Sequence, residues 1–378
     1  MRWKKDLWPE WQIECDIGAG AYGTVYKIKR QDIGGTYYAA LKVISFPHSK
    51  KEIENLRNKK MSDEQISEYF NGIACEIFRE FALMERLKGH TNIVSYEDHK
   101  IISRDNGLYW DVLIRMELLT PLTEYLKKRS LDEYDVCKFG IDICNALILC
   151  EKEGIVHRDI KPGNIFVSDF GDFKLGDFSL AKYSEIYSIG SSPQGTYSYM
   201  APEVYKGFGY DFTIDIYSLG LILYRLLNRG RGPFQPLPPV ELSLEVLEQA
   251  NKKRFYADVL PKPCDASTLM ANIIQKACSY NPEKRYENAA EMKKALERCQ
   301  VAQSTLKAKR QVSDLVRKAV NAIAGFEDEE VFIKINEGSE KKNNENVKVE
   351  GSNSVNNELN KVNDCKTMSD FFSTAGDL

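Results

Sequence analysis

The stretch His157-Arg158-Asp159-Ile160-Lys161-Pro162-Gly163-Asn164 decides how this chain is read. A long helical run, residues 133 to 151, leads into it. Two short strand-like pieces follow, Ile165 to Val167 and Phe173 to Leu175, and end in Gly176-Asp177-Phe178. Singly, Asp159, Lys161, Asn164 and Asp177 are ordinary loop residues. Together they set a carboxylate, an ammonium and an amide close along the chain, with a second carboxylate beyond two strands. Phosphoryl transfer needs such a set: a carboxylate to accept or orient a hydroxyl proton, and hard oxygen donors for magnesium. Asp159 suits the first task, and Asn164 and Asp177 the second.

Upstream lies Gly18-Ala19-Gly20-Ala21-Tyr22-Gly23-Thr24-Val25. Glycines let a backbone approach phosphates and donate N–H groups to them. A dinucleotide fold would start a helix directly after such a loop. Here Val25-Tyr26-Lys27-Ile28 continues as strand, which favours the other type of phosphate loop. Next comes Lys42 inside the apolar strand Ala39-Ala40-Leu41-Lys42-Val43-Ile44. It reads either as a snorkelling surface lysine or as an ammonium over phosphates. A buried lysine needs a carboxylate partner. Glu80 shares a helical face with Ile73, Ile77 and Met84 and is the choice; Glu76 is the weaker candidate.

The rest of the chain organises around these motifs. Residues 11 to 44 read as strands about a glycine turn, with the second run at Tyr37 to Ile44. Residues 50 to 88 have helical period. Ile93 to Tyr96 and Val112 to Leu118 read as short strands. From Leu122 to about Gly230 the helical runs are longer and more apolar. A strand-rich part before a helix-rich part makes an α+β arrangement in two lobes. Residues 303 to 324 suit a modest amphipathic helix. Residues 337 to 365 are dense in Asn, Lys, Glu and Ser, which favours disorder.

From about Trp11 to Gln300 the chain resembles the eukaryotic-type (Hanks-type) serine/threonine protein kinases. The match is carried by Gly18, Gly20, Gly23, Lys42, His157-Arg158-Asp159, Asn164, Asp177-Phe178, Ala201-Pro202-Glu203, Asp215 and Arg285. Gly89-His90-Thr91-Asn92-Ile93-Val94, and Leu226-Leu227-Asn228 followed by Pro233-Phe234, are similar to soluble bacterial members. The resemblance implies a kinase domain over 11–300, with a small β-rich N-lobe (about 11–118) and a larger α-helical C-lobe (about 119–300). Residues 301–336 would be a helical extension and 337–378 a disordered tail. It implies ATP and Mg2+, with Mn2+ as a substitute, and protein substrates bearing Ser or Thr.

Roles follow from the same resemblance. Ile17, Gly18, Gly20 and Gly23 would line the nucleotide, and Val25, Ala40 and Phe166 would sandwich its adenine. Met116 would gate the rear of the pocket, with hinge backbone groups from Glu117 and Leu118. Lys42 with Glu80 would hold the α- and β-phosphates, Lys161 would sit on the γ-phosphate, and Asp159 would orient the hydroxyl. Asn164 and Asp177 would hold metal. Glu203 and Arg285 would pair structurally, and Asp215 would brace the catalytic loop. Lys161, with Gly195-Thr196 ahead of Ala201-Pro202-Glu203, looks like the serine/threonine subclass.

One position departs from the family. Asp177-Phe178 is followed by Ser179 where the family has glycine. Serine narrows backbone freedom and bears on switching more than on catalysis. The competing reading it supports is a catalytically inactive, kinase-like scaffold. A small-molecule kinase of the same fold is discouraged by the peptide-docking segment Gly195 to Glu203. Arg158 lies where the segment Lys182 to Gln194 must pass. A phosphate on Ser188, Ser191 or Ser192 could take bidentate bonds from it, so autophosphorylation there is expected to raise activity.

Bulk properties limit the alternatives. A formal net charge of −3 argues against nucleic acid or anionic membrane as a bulk partner. Nine cysteines without a C-x-x-C pair read as reduced thiols in a cytoplasmic protein. The start, Met1-Arg2-Trp3-Lys4-Lys5-Asp6, has no apolar core for a signal peptide. The longest apolar run, Leu219 to Leu227, falls short of the roughly 18 residues of a membrane span. Oligomeric state is not legible.

Overall fold

In the N-terminal part, alternating side chains build a sheet that is apolar on both faces. The computed structural model describes residues 2–20, 23–178, 197–256 and 259–324. The strands are β1 (Gln12–Gly20), β2 (Gly23–Asp32), β3 (Gly35–Phe46), β4 (Tyr96–Arg104) and β5 (Tyr109–Met116), in spatial order β1-β2-β3-β5-β4. Along β3, Ala39, Leu41 and Val43 join one core with Tyr26, Ile28 and Leu113, while Ile44 and Phe46 join another with Val112 and Ile114. That period of two puts Lys42 on the same side as Ile44 and Phe46. The second core is closed by helices α1 (Lys50–Asn58) and α2 (Asp63–Leu87). Helix α2 starts at Ser62, whose hydroxyl accepts from the Gln65 amide while the Gln65 side chain accepts from the Ser62 amide.

The other face of the sheet is covered by residues outside the 11–300 span. A short 3-10 turn, Arg2–Asp6, brings buried Trp3 and Trp8 down beside Trp11. Trp8 donates to Asp98 (2.7 Å) and lies near Lys100 and Arg115. The sequence offers no period for this cap, since three separated tryptophans mark neither helix nor strand.

The segment expected as a strand at Ile93 to Tyr96 begins its ladder only at Tyr96 and runs on to Arg104. Its first residues instead stitch the two parts of the molecule together. Val94 donates to the Leu175 carbonyl and Leu175 to that of Asn92, both at 2.9 Å, and Glu117 donates to Ser95 (3.0 Å). The strand expected at Val112 to Leu118 ends at Met116.

Beyond the crossover come β6 (Thr120–Pro121), α3 (Leu122–Lys128) and α4 (Glu133–Lys152), then β7 (Ile165–Val167) and β8 (Phe173–Leu175). The last three strands form a small sheet ordered β6-β7-β8. Helices α5 (Pro202–Tyr205), α6 (Thr213–Leu226), α7 (Leu244–Arg254), α8 (Thr268–Ala277) and α9 (Ala289–Ala324) complete the described part. Asp132 caps α4 by accepting from the Asp135 amide (2.9 Å). The largest core lies here. Phe139, Ile143, Ile216, Leu219, Leu223, Met270 and Leu296 are fully buried in it, each worth about 1.5–3 kcal/mol of removal from water. Gly140 permits the approach of α4 to α9: a Cβ there would stand 2.8 Å from Leu296.

Helix α9 is continuous from Ala289 through the stretch expected as a separate helix at 303–324. The chain divides into Met1–Val316 and Arg317–Leu378, and the described part of the second is the end of this helix. Residues 337–378 lie outside the described residues. Among the described residues the cysteines are free thiols, and no helix is long and apolar enough to cross a membrane.

Candidate active site

The loop between α4 and β7 is held by hydrogen bonds that aim Asp159. Its Oδ2 accepts from Lys161 Nζ (2.6 Å) and Asn164 Nδ2 (2.9 Å). Asn164 Nδ2 also donates to the Asp159 carbonyl (2.8 Å), which leaves Asn164 Oδ1 as the atom for an outside cation. Buried Ile160 roots the loop in the core.

Arg158, just before, has φ +69°, a conformation that costs a residue with a side chain roughly 1–3 kcal/mol and persists only where surroundings impose it. Asp215, in the first turn of α6, imposes it. Its two carboxylate oxygens accept from the amides of His157 (2.7 Å) and Arg158 (2.9 Å). Burial pushes the Asp215 carboxyl above its ordinary value, against the lowering effect of the Arg158 charge and of these two amide bonds.

His157 joins the two halves of the site. Its Nε2 donates to the Gly176 carbonyl (3.0 Å), and its Nδ1 accepts from the Asp159 amide (3.3 Å). These roles define a neutral ring protonated at Nε2. The ring meets Phe178 edge to face at 4.9 Å. Gly176 in turn donates to the Asn164 carbonyl (2.9 Å). Asp177, at φ +60°, points the other way and forms an ion pair with Lys42 at 2.5 Å.

The sheet supplies the remaining wall. Register places Val25 opposite Lys42, Lys42 opposite Ile114, and Ala40 opposite Met116. Gly23 has φ +134°, and a Cβ there would lie 2.2 Å from the Val43 carbonyl, so the loop's return requires glycine. Phe166 sits in β7, paired with Pro121. The site has oxygen and nitrogen atoms from separate segments and two carboxylates, each paired with one lysine.

A family model described as the protein kinase domain matches residues 11–297. The chain belongs to the protein kinase family. It is 29% identical over 285 residues to a "Probable serine/threonine-protein kinase" of Clostridium acetobutylicum, a match covering 75% of this chain and 38% of that relative. To the serine/threonine-protein kinase PknB of Mycolicibacterium smegmatis it is 35% identical over 171 residues, 43% of this chain and 26% of the relative. A "Probable serine/threonine-protein kinase" of Dictyostelium discoideum is 29% identical over 288 residues, 73% of this chain and 60% of the relative. The chain thus spans between about a quarter and three fifths of the length of these curated relatives.

Some of the expected residues of this kinase domain are in contact with one another, and others lie outside the described residues. Lys42, Asp159, Lys161, Asn164 and Asp177 come together as given above. The side chains of Glu80 and Glu76 lie outside the described residues; the partner described for Lys42 is Asp177. Ser179, Gly195, Thr196 and the candidate phosphosites Ser188, Ser191 and Ser192 lie outside as well. Ile17 and Gly18 are exposed on β1, whereas Met116, Glu117 and Leu118 are half-buried. Glu203 and Arg285 form a buried pair at 2.6 and 2.8 Å.

One feature of the cleft has no signal in the sequence. Lys174 on β8 clamps both oxygens of Glu117 (2.9 Å each), and Glu117 Oε1 also accepts from the Ser95 amide. The carboxylate thereby ties the connection between the sheets to the strand that leads to Asp177. A lysine in a three-residue strand and a glutamate after another carry no periodic mark of their pairing.

Proposed function

We propose that this protein is a serine/threonine protein kinase that transfers the γ-phosphoryl group of ATP to protein hydroxyls. The observation that carries the reading is one continuous network: Lys42 to Asp177, Gly176 to Asn164, and Asn164 with Lys161 to Asp159. It links residues from β3, the catalytic loop and the end of β8, the set that phosphoryl transfer uses for positioning and charge. The serine/threonine class is supported by Lys161 two positions after Asp159 and by the names of the relatives.

Asn164 Oδ1 and the Asp177 carboxylate fit a magnesium ion, which prefers few protein oxygens and completes its shell with phosphates and water. Such an ion would neutralise phosphate charge when bound; manganese would serve in its place. Lys42 brings an ammonium to the same carboxylate and so to the phosphates next to it. Lys161 counters charge developing on the group in transfer. Asp159, its Oδ2 already held by Lys161 and Asn164, orients the acceptor hydroxyl with its remaining oxygen. Glu80, by its helical period in the sequence, would be the second carboxylate for Lys42. Ile17, Gly18, Gly20, Gly23, Val25, Ala40, Phe166 and Met116 surround the nucleotide, with Glu117 and Leu118 at the hinge. Self-phosphorylation at Ser188, Ser191 or Ser192 would give Arg158 a partner and raise activity.

The test is transfer of labelled phosphate from ATP to a generic protein substrate. Wild type should incorporate label on Ser or Thr; Asp159→Asn and Lys42→Met, confirmed folded by circular dichroism, should not. A wild type that binds ATP yet transfers nothing, or an Asp159→Asn variant near full turnover, overturns the reading. Mapping phosphate on the purified chain tests the three serines: no phosphate between Lys182 and Gln194 rejects that part alone.

A further inference from the structure

Arg254, the last residue of α7, is a buried cation without an anion. It is 2% exposed, and among the described residues no carboxylate pairs with it. Its guanidinium meets neutral groups instead. Nη2 donates to the Tyr197 carbonyl (2.5 Å), and Nη1 to the Met200 carbonyl (2.7 Å) and the Tyr217 hydroxyl (3.0 Å). The Phe255 ring lies beneath the charge at 4.2 Å. A buried guanidinium is costly unless its donors find acceptors, and here two arms of its rigid fork grip the two ends of one turn, residues 197–200.

The next residue in the chain adds a second hold. Phe255 stacks on Tyr205 of α5, with ring centres 4.0 Å and planes 3° apart, and Tyr205 meets Tyr197 edge to face at 5.8 Å. Tyr197 is thus fixed by its carbonyl from Arg254 and by its ring through Phe255, although both tyrosine side chains are exposed.

Helix α6 places this turn beside the catalytic loop. In its first turn Asp215 accepts from the amides of His157 and Arg158. One turn further on, Ser218 donates to the Tyr199 carbonyl (2.8 Å), and Tyr217 supplies the hydroxyl that meets Arg254. Residues three apart on a helix share a face, with Cβ atoms about 5–6 Å apart. The loop that carries Asp159 and the turn at 197–200 are therefore braced side by side on one rigid element. An acceptor hydroxyl must meet Asp159 in a narrow geometry, and the polypeptide that carries it rests on what borders the loop. Among the described residues Arg254 bonds to none of Lys42, Lys161, Asn164 and Asp177, so its hold falls on the acceptor side of the site and not on the nucleotide side.

On the kinase reading above, we infer that Arg254 is a positioning residue for the protein acceptor: by gripping the Tyr197 and Met200 carbonyls it fixes residues 197–200 as a seat for the chain that presents its hydroxyl to Asp159. The test is steady-state transfer from saturating ATP to a generic protein substrate by the full chain, with ATP affinity read separately by titration calorimetry. Wild type is compared with Arg254→Met, which fills space without a donor, and Arg254→Lys, which keeps the charge but has one nitrogen for two carbonyls. For the protein substrate kcat/KM should fall at least about tenfold in Arg254→Met and about threefold in Arg254→Lys, while ATP affinity stays within about twofold in both. Melting curves establish that each variant is folded at the assay temperature, and Arg254→Lys carries the test if Arg254→Met is not. Folded variants that match wild type towards the protein substrate overturn the proposal and leave the kinase reading standing. ATP affinity falling in step with transfer, or loss of fold in both variants, makes Arg254 a support of the whole domain and equally overturns it. A wild type that transfers nothing rejects the kinase reading itself, and this role with it.

Discussion

Arg285 and Glu203 form a pair whose two halves should not be equally costly to lose. The Glu203 carboxylate accepts at 2.6 and 2.8 Å from Arg285, and among the described residues from no other side chain. The Arg285 guanidinium has further acceptors: the carbonyls of Ser279 (2.9 Å), Thr213 (3.2 Å) and Tyr280 (3.4 Å), and the Tyr217 ring at 4.8 Å. Arg285→Met therefore strands a buried carboxylate, at about 3–5 kcal/mol, and deprives three carbonyls of a donor. Glu203→Gln leaves arginine with those carbonyls and an amide oxygen, so one charge-assisted bond is lost, about 1.5–3 kcal/mol. At roughly 2–4 °C per kcal/mol, Arg285→Met should melt about 6–20 °C lower and Glu203→Gln about 3–12 °C lower. The double variant should lose less than the sum of the singles, because no charge is left stranded. Calorimetric melting at neutral pH, with urea titration for the free energies, measures all three. Glu203→Gln costing as much as Arg285→Met, or strict additivity in the double variant, would refute this account of the pair.

Three further outcomes follow from the site and its supports. For Asp215, burial raises the folded pKa above the unfolded one, so its contribution to stability is complete below the unfolded value and falls as pH rises through the folded value. Asp215→Asn should thus melt close to wild type at neutral pH while losing at least about tenfold in kcat, because one amide of the strained His157-Arg158 turn loses its acceptor; a variant of full turnover contradicts the bracing role. Burial also pushes up the Glu151 carboxyl, which accepts from the Ala289 amide (2.8 Å) at the start of α9. By the same sign, Glu151→Gln should gain on wild type in melting temperature as pH rises from about 4.5 towards 7, and a gap constant with pH, or closing, would rule this out. Gly23→Ala should raise KM for ATP and lower stability together, since its methyl would collide with the Val43 carbonyl at φ +134°; nucleotide titration and melting check both, and unchanged values in each would show that the loop has another way to turn.

The chemistry of the cleft was legible because most of it is local. Asp159, Lys161 and Asn164 lie within one loop, and their mutual bonds span only a few residues. The alternation of β3 likewise puts Lys42 on a face without any knowledge of what lies opposite. Helix α4, with Asp132 before it and apolar residues at helical steps within it, is equally readable. The strand at Ile93 to Tyr96 was misplaced for an instructive reason. Ile93 and Val94 are apolar, but the backbone groups of Asn92, Val94 and Ser95 bond to β8 and to the crossover, and the ladder starts only at Tyr96.

What the sequence determined by itself, then, is the kinase family and the two-part architecture, since short motifs and periodic apolar residues carry both. Only the tertiary structure decided who meets whom across the chain. Lys42 reaches Asp177 over 135 positions, Glu203 reaches Arg285 over 82, and Asp215 reaches back to hold the backbone at Arg158. Trp3 and Trp8 became core. Period and propensity specify which face of an element is apolar. They do not specify which surface covers that face, because this depends on the packing of every other element at once.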